Sequence, residues 1–219
     1  MPYQTAVFDL DGTLLDTLED LKDAVNHALR HYGLPERSLD EVRRFVGNGV
    51  VELMRRALPG SETDPDLMET IAYYQSYYKD HARIKTRPYE GVEETLSKVG
   101  EKYPVAIVSN KPDEAVKVLC DELFPGVYAL GVVPECPRKP APDMVYKAMK
   151  ELAVDACVYV GDSEVDVLTA KNAQAPCISV LWGFRDRKTL EESGAKYFCE
   201  KAEDLPALLE QIVGEVYGK

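Results

Sequence analysis

The chain has 219 residues, a length that suits one large domain or one domain carrying a smaller insert. Hydrophobic residues make up 45% and charged residues 29% of the chain, which is ordinary for a globular protein and argues against disorder. The 26 basic and 38 acidic residues give a formal net charge of −12, which disfavours nucleic acids and anionic membranes as partners. A small anionic substrate is compatible with this charge where a metal ion or a basic group reverses the field in one cleft.

The apolar runs and the cysteines indicate the cellular compartment. No apolar run approaches the ~20 residues that cross a bilayer. Asp9 and Asp11 interrupt an N-terminus that has no basic segment, so we expect no signal peptide and a cytoplasmic protein. The five cysteines are odd in number and form no CxxC pair, which argues against disulfides and a zinc site. Cys157, Cys177 and Cys199 lie in apolar runs and are expected to be reduced core residues.

The first predicted strand, residues 5–8, is followed by a segment that contains only helical patterns. Helices are predicted at residues 18–32, 39–46, 50–58 and 65–81. In the first of them the apolar residues share one helical face, and Gly33-Leu34-Pro35 ends the helix. We expect residues 17–84 to form a small helical domain inserted after the first strand.

Two sets of ring side chains lie in this helical segment. Tyr73, Tyr74, Tyr77 and Tyr78 recur at helical spacing, which indicates packing inside the segment or a contact between two copies of the chain. The three histidines have no metal-ligand spacing and are interpreted as surface or packing residues. The oligomeric state is left open between a monomer and a homodimer.

After residue 84, short apolar runs alternate with helical patterns. Strands are predicted at residues 105–108, 157–160 and 177–181, with a weaker one at 196–199. Helices are predicted at residues 92–102, 113–123, 143–152, 164–173 and 205–217. This alternation predicts an α/β fold with a Rossmann-like, mainly parallel sheet, formed by residues 1–16 and 85–219.

The most informative motif is Asp9-Leu10-Asp11-Gly12-Thr13, directly after the first predicted strand. Ligands bind beyond the carboxyl ends of the strands in an open parallel sheet, so Asp9 and Asp11 stand at the expected mouth of a site. Two carboxylates this close repel each other unless a cation or a proton separates them. The alternative is a polar turn, for which Asp-Gly is a common pair.

Polar residues also follow the second predicted strand, in Ser109-Asn110-Lys111. Hydroxyl, amide and backbone N–H groups can donate to a phosphoryl oxygen, although Ser109 or Asn110 would equally serve as a helix N-cap. Lys139 lies in a proline-rich loop that could hold it as a fixed positive charge, whereas a lone surface lysine usually has no such role.

The third predicted strand ends in Gly161-Asp162, and Asp166 follows four residues later. The glycine permits a tight turn, and the two aspartates bring more carboxylates to the same edge of the sheet. Mg²⁺ prefers hard oxygen ligands in octahedral geometry, and Asp9 with Asp162 would supply its anionic ligands.

These motifs, in this order, resemble those of the haloacid dehalogenase superfamily of phosphatases. The resemblance covers nearly the whole chain: a DxDGT element at residues 9–13, Ser109, Lys139 and a GDSxxD element at residues 161–166. The helical insert resembles the C1-type cap of that superfamily. Within it, residues 45–53 followed by 56–58 are similar to the phosphoglycolate phosphatase branch.

The resemblance implies hydrolysis of a phosphomonoester through an aspartyl-phosphate on Asp9. Asp11 would be the general acid that protonates the leaving alkoxide and then the base that activates water. Ser109 and Lys139 would complete the catalytic set by binding the oxygens of the transferring group. Thr13 and Asn110 are further candidates for contact with the phosphate.

The resemblance also implies Mg²⁺ as cofactor. Asp9, Asp162 and the backbone carbonyl of Asp11 would be its ligands. Asp166 would not bind the ion directly but would orient either a metal-bound water or Lys139.

The cap is expected to choose the substrate, with 2-phosphoglycolate as the first candidate. Gly47, Asn48 and Gly49 lead into a helix whose N–H groups could face an anion, although a plain helix cap explains them equally well. Arg55 and Arg56 are candidates for contact with a substrate carboxylate, although an exposed helix arginine is the commoner case. Lys111 could equally reach into the cleft, and Arg185 is a candidate for contact with the substrate.

Three alternatives remain open. A phosphoglucomutase-like transferase and a pyrophosphatase would share the core motifs, and a non-catalytic relative would bind a phosphorylated ligand. The second acid, Asp11, argues against a dehalogenase, which expels halide and needs no proton donor. The absence of lysine from residues 47–56 argues against the phosphonatase branch. The expected partner is a small phosphorylated metabolite.

Overall fold

A computed structural model of the chain describes residues 4–60 and 64–218. Contacts between Cα atoms divide the chain into two compact units. Residues 1–15 and 88–219 form the first, which we call the core unit, and residues 16–87 form the second, which we call the helical unit.

The elements of both units are numbered in chain order. The strands are β1 (Gln4–Phe8), β2 (Leu15–Asp16), β3 (Arg87–Pro88), β4 (Val105–Pro112), β5 (Tyr128–Val132), β6 (Ala156–Gly161), β7 (Cys177–Val180) and β8 (Tyr197–Cys199). The helices are α1 (Leu18–His31), α2 (Leu39–Phe45), α3 (Val50–Ala57), α4 (Leu67–His81), α5 (Val92–Gly100), α6 (Asp113–Leu123), α7 (Asp143–Glu151), α8 (Glu164–Asn172), α9 (Arg187–Glu192) and α10 (Leu205–Tyr217).

The core unit is built on a six-stranded sheet in the order β5-β4-β1-β6-β7-β8, and each pair of neighbours is parallel. Strand β1 shows why this sheet is covered on both faces. Ala6 and Phe8 pack into the apolar cluster on one face, and Val7 packs into the cluster on the other. All three residues are fully buried, as expected for a central parallel strand. The α/β fold expected from the sequence is confirmed.

The strand order places a switch point at β1. From β1 the sheet extends through β4 on one side and through β6 on the other. The carboxyl ends of these three strands are therefore neighbours, and the chain segments that leave them carry the sequence motifs. In sheets of this kind, ligands bind at that switch point.

One sequence prediction about β4 is wrong. The strand does not end at residue 108 but continues through Ser109, Asn110 and Lys111 to Pro112, with an irregularity in its register against β5. Ser109 and Asn110 therefore do not cap a helix, because α6 begins at Asp113 and Pro112 is its N-cap. The apolar run ends where polar residues begin, and this change in composition does not mark the end of the strand.

Four elements, β2, β3, β5 and α9, have no counterpart in the sequence analysis, and the first two are strands of only two residues. Strand β5 lies at the edge of the sheet and is only partly buried, so its apolar pattern is weak. Helix α9 has six residues, too few to show a helical period.

Among the cysteines, Cys157 and Cys199 are buried as expected, but Cys177 is only partly buried. All five cysteines of the chain are free thiols.

The helical unit consists of α1 to α4, and its packing follows the apolar periodicity. Tyr74 and Tyr78 of α4 are buried. Tyr73 and Tyr77 lie in a column of stacked rings with the three histidines, in the order His31, Tyr73, His27, Tyr77 and His81. The histidines stack on the tyrosine rings, with His27 and His81 partly buried and His31 exposed. The tyrosine stripe is divided between the interior and this column.

Across residues 4–60 and 64–218, no helix has both the length and the apolar character that a membrane span requires. The cytoplasmic location stays a prediction from the sequence.

Candidate active site

The loop after β1 is held by backbone and side-chain hydrogen bonds at the carboxyl end of the sheet. The N–H of Asp9 donates to the carbonyl of Val160 in β6 over 2.9 Å, which continues the strand pairing to the first motif residue. Gly12 has a φ of +92°, a conformation that favours glycine. The indole N–H of Trp182 donates to the carbonyl of Thr13 over 2.9 Å. The loop is therefore fixed on both sides.

Lys139 is the central group of the site. Its Nζ donates to Oδ1 of Asp9 at 2.6 Å, to Oδ1 of Asp166 at 2.9 Å and to the hydroxyl of Tyr159 at 3.0 Å. These three acceptors match the three hydrogens of an ammonium group. The lysine side chain is 2% exposed. Of the two alternatives for Lys139, a fixed positive charge and a surface lysine without a role, the structure therefore favours the fixed charge.

Asp166 orients Lys139 and also caps α8. Its Oδ1 accepts from Lys139 and from the hydroxyl of Tyr159, while its Oδ2 accepts from both the backbone N–H and the hydroxyl of Ser163. Of the two roles considered for Asp166, the contacts favour the orientation of Lys139. Tyr159 was not identified from the sequence; its only signal was a tyrosine in an apolar strand two residues before the glycine of the third motif.

Three carboxylates converge beside this lysine. Asp9, Asp162 and Asp166 each offer an oxygen within 4.8 Å of the others, and all three residues are buried. Burial, aided by the charges of Asp166 and Asp11, raises the pKa of Asp9 to about 7, although Lys139 opposes the shift. Burial and the charges of Asp166 and Asp9 also raise the pKa of Asp162 well above its usual value. Burial disfavours the charge of Lys139, but Asp166 and Asp9 outweigh it and raise the pKa of that lysine.

The donor set fits a divalent cation with oxygen ligands. Three buried carboxylates face one buried ammonium group, and this excess of negative charge is what a bound cation relieves. Oδ2 of Asp9 accepts no hydrogen bond from any residue that the structure describes, whereas each oxygen of Asp166 accepts two. Asp162 accepts one bond on each oxygen, from Thr13 and from the N–H of Phe184. Asp9 and Asp162 are therefore better placed than Asp166 to hold the ion.

Two glycines keep the space around Asp162 open. A Cβ atom on Gly183 would lie 2.3 Å from the Cβ of Asp162 and 2.4 Å from the carbonyl oxygen of Gly12. A Cβ atom on Gly12 would lie 2.5 Å from Oδ2 of Asp162. Gly183 and Phe184 follow β7 and were not identified from the sequence, because their role depends on an approach between two distant loops.

Asp11 is paired with Lys111. The lysine Nζ lies 2.9 and 3.0 Å from the two carboxylate oxygens, and the pair is largely buried, with side-chain exposures of 4% for Lys111 and 14% for Asp11. The backbone N–H of Lys111 also donates to the hydroxyl oxygen of Ser109 over 3.2 Å. The end of β4 therefore brings a cation to the loop after β1, two residues beyond the buried hydroxyl of Ser109.

The remaining candidates are held in other contacts. The side-chain amide of Asn110 donates to the carbonyl of Lys139 over 3.0 Å, which ties β4 to the lysine loop. Arg185 donates to Glu164. In the helical unit, Arg55 pairs with Glu52, while Arg56 donates to the carbonyl of Phe45 and to Asn48. Gly47, Asn48 and Gly49 also lie in the helical unit, between α2 and α3.

The match to known proteins decides the family. A family model described as haloacid dehalogenase-like hydrolase matches residues 6–180, four fifths of the chain. The chain belongs to this family. The resemblance that the sequence motifs indicated is therefore confirmed. The expected class of enzyme, a phosphatase, is confirmed as well.

Relatives of this hydrolase include proteins named phosphoglycolate phosphatase. One from Pseudomonas aeruginosa is 32% identical over 212 residues, covering 91% of this chain and 77% of the relative. One from Pseudomonas syringae pv. tomato is 34% identical over 221 residues, covering 93% and 79%. A crystal structure from Lactobacillus delbrueckii subsp. bulgaricus, provisionally named phosphoglycolate phosphatase, superposes with a TM-score of 0.87 at 38% identity, covering 95% of this chain and 99% of the other.

We predict that Gly183→Ala damages the site of this hydrolase by crowding Asp162. The added methyl group meets Asp162 and a backbone carbonyl, so the loop must move, at a cost of about 1–3 kcal/mol in the free energy of unfolding. Urea unfolding and activity assays measure the two effects. The matched control is Gly214→Ala in α10, where a Cβ atom meets nothing within 4 Å and a gain of about 0.5–1 kcal/mol is expected. Equal stability and activity in the two variants would refute the close approach.

Proposed function

We propose that this chain is a Mg²⁺-dependent phosphomonoester hydrolase that forms an aspartyl-phosphate on Asp9, with 2-phosphoglycolate as its first candidate substrate. The observation that carries the proposal is the placement of the Asp9 carboxylate, bound by buried Lys139 at the switch point and followed two residues later by Asp11. The names and coverage of the relatives support the substrate class.

Asp9 is the nucleophile in this proposal. Lys139 holds Oδ1 of Asp9, so the carboxylate is oriented for its attack on phosphorus. Attack divides one difficult displacement into two easier ones, with the phosphoryl group carried on the aspartate between them. Because Lys139 keeps its charge when buried, it stabilises the negative charge that the phosphoryl oxygens bring to the site.

Ser109 and Asp11 act on opposite ends of the reacting bond. The Ser109 oxygen accepts the N–H of Lys111, which leaves the hydroxyl hydrogen to donate to a phosphoryl oxygen. Asp11 donates a proton to the leaving alkoxide and later takes one from the water that attacks the aspartyl-phosphate. Thr13 donates to Asp162 and supports that carboxylate.

Mg²⁺ would be held by Asp9, Asp162 and the backbone carbonyl of Asp11, and when bound it neutralises charge between the nucleophile and the phosphoryl oxygens. The chain prepares for this ion by keeping two carboxylates buried and close, at the expense of their mutual repulsion. Phe184 and Thr13 fix the orientation of Asp162 through its two oxygens.

Asp9→Asn is expected to fold but to lose turnover, because an amide is not a nucleophile toward phosphorus. Release of inorganic phosphate from 2-phosphoglycolate, p-nitrophenyl phosphate, glucose 1-phosphate and pyrophosphate measures the activity and ranks the substrate classes. Circular dichroism establishes that the variant is folded. Activity of the folded variant within tenfold of the unaltered protein would rule out the aspartyl-phosphate.

Mg²⁺ is expected to raise the Tm of the metal-stripped protein, because a ligand that binds only the folded state stabilises it. The shift should be absent in Asp162→Asn. The control is Asp155→Asn, which changes an exposed aspartate at the opposite end of β6 and should leave the shift intact. Full activity of the stripped protein in EDTA would contradict the metal requirement.

The specificity role of Gly47, Asn48 and Gly49 stays a prediction. Gly49 has a φ of +81° and is the N-cap of α3, and Arg56 braces the neighbouring Asn48. We expect Gly49→Val to lower kcat/KM for the best metabolite more than for p-nitrophenyl phosphate. Gly60→Val is the matched control, since Gly60 has a φ of +82° in the same unit and lies in open space. If both variants keep the metabolite ranking, the loop does not determine specificity.

A further inference from the structure

The ion pair between Lys111 and Asp11 lies at the carboxyl edge of the sheet, in the site described above. Lys111 lies at the end of β4, and 100 residues of sequence separate it from Asp11. Its side chain is 4% exposed, and burying an ammonium group there is costly unless an anion accompanies it. The pair therefore places a desolvated positive charge beside the residue that, under the proposed function, protonates the leaving group.

The leaving oxygen of a substrate must come within hydrogen-bond distance of Asp11, about 2.7 Å. Since the lysine Nζ lies 2.9 Å from that carboxylate, the leaving oxygen lies within about 6 Å of the ammonium group. A group attached one carbon beyond the leaving oxygen can then reach Lys111 directly. Lys111 consequently borders the leaving alcohol, whereas Lys139 borders the nucleophile.

The other cations near these motifs are less suited to meet the leaving alcohol. Lys139 already donates to three oxygen atoms, those of Asp9, Asp166 and Tyr159. Arg185 pairs with Glu164 on α8. Lys111 donates to a carboxylate that is itself a reacting group, so an incoming anion can share the ammonium group with Asp11.

We propose that Lys111 is a specificity-determining residue that selects phosphomonoesters whose leaving alcohol carries a carboxylate on the carbon next to the ester oxygen. This inference rests on the proposed function, because it takes Asp11 as the group that meets the leaving oxygen. It assigns recognition of the small hydroxy acid to the core unit. Phosphomonoesters of neutral alcohols would lack this contact and would be poorer substrates.

Two pairs of compounds test the proposal. The first compares 2-phosphoglycolate with its neutral amide, 2-phosphoglycolamide, as substrates. The second compares the binding of 3-phosphonopropionate with that of its amide. In both compounds a methylene group replaces the ester oxygen, so neither can be hydrolysed at that position. Both pairs differ only in the charge of the group expected at Lys111.

The unaltered protein should prefer the acid to the amide in kcat/KM, and Lys111→Met should reduce that preference by roughly 10- to 100-fold, the range expected for a charged hydrogen bond. Lys111→Arg, which retains the charge, should recover part of the preference. Lys117→Met is the matched control, because Lys117 pairs with Asp113 in α6 and is exposed. This control should keep the full preference.

An equal loss for acid and amide in Lys111→Met would overturn the proposal and leave Lys111 as a support for Asp11. If Lys111→Met does not fold, Lys111→Gln supplies the same comparison with a neutral side chain that still reaches Asp11. If the unaltered protein hydrolyses none of these esters, the proposed function fails, and calorimetry with the phosphonates still decides whether Lys111 selects the acid. Binding of acid and amide with equal affinity would refute the proposal in that case.

Discussion

The ammonium group of Lys139 is surrounded by oxygen atoms of Asp9, Asp166 and Tyr159, and the rest of the site depends on that contact. At 2% exposure the lysine has no access to bulk solvent, so its charge must be balanced by the carboxylates around it. The contact joins four separate parts of the chain: the loop after β1, the loop before α7, strand β6 and the start of α8. Loss of the lysine would leave buried carboxylates without a counter-charge and would also release the loop that bears the nucleophile.

One buried lysine does not balance the acids that meet at this edge of the sheet. Asp9, Asp162 and Asp166 lie within 4.8 Å of one another, and burial with mutual repulsion raises the pKa of Asp9 and of Asp162. This stored repulsion makes the site receptive to a divalent cation. A bound divalent cation together with Lys139 would offset these carboxylates, so the net charge of −12 does not by itself exclude a phosphorylated anion as substrate.

The chemistry that we propose is contained in the core unit. Asp9 and Asp11 follow β1, Ser109 and Lys111 belong to β4, and Asp162 follows β6. These three strands are neighbours at the switch point, so a rigid sheet sets the distances between the reacting groups. A family can therefore keep the phosphoryl-transfer groups while it changes the residues that meet the leaving alcohol.

The sequence by itself determined the α/β class, most of the helices and strands of the sheet, and the segments that bear the site. Apolar runs mark the buried parallel strands, and the polar residues after residues 8, 108 and 160 mark the carboxyl edge of the sheet, although β4 itself continues to Pro112. The edge strand β5 and the six-residue helix α9 were not predicted from the sequence, because a partly buried strand and a short helix have little periodicity. The resemblance of the motifs to a known superfamily supplied the roles of individual residues.

Only the tertiary structure decided which of these residues meet. The extension of β4 to Pro112 brings Lys111 to Asp11, and the alternation of β6 directs Tyr159 to Lys139. The approach of Gly183 to Asp162 depends on two loops that lie about twenty residues apart in sequence. Periodicity reports the burial of a segment and the face on which a side chain lies. Contacts between distant segments depend instead on strand order, register and the direction of single side chains, and these are set when the whole sheet packs.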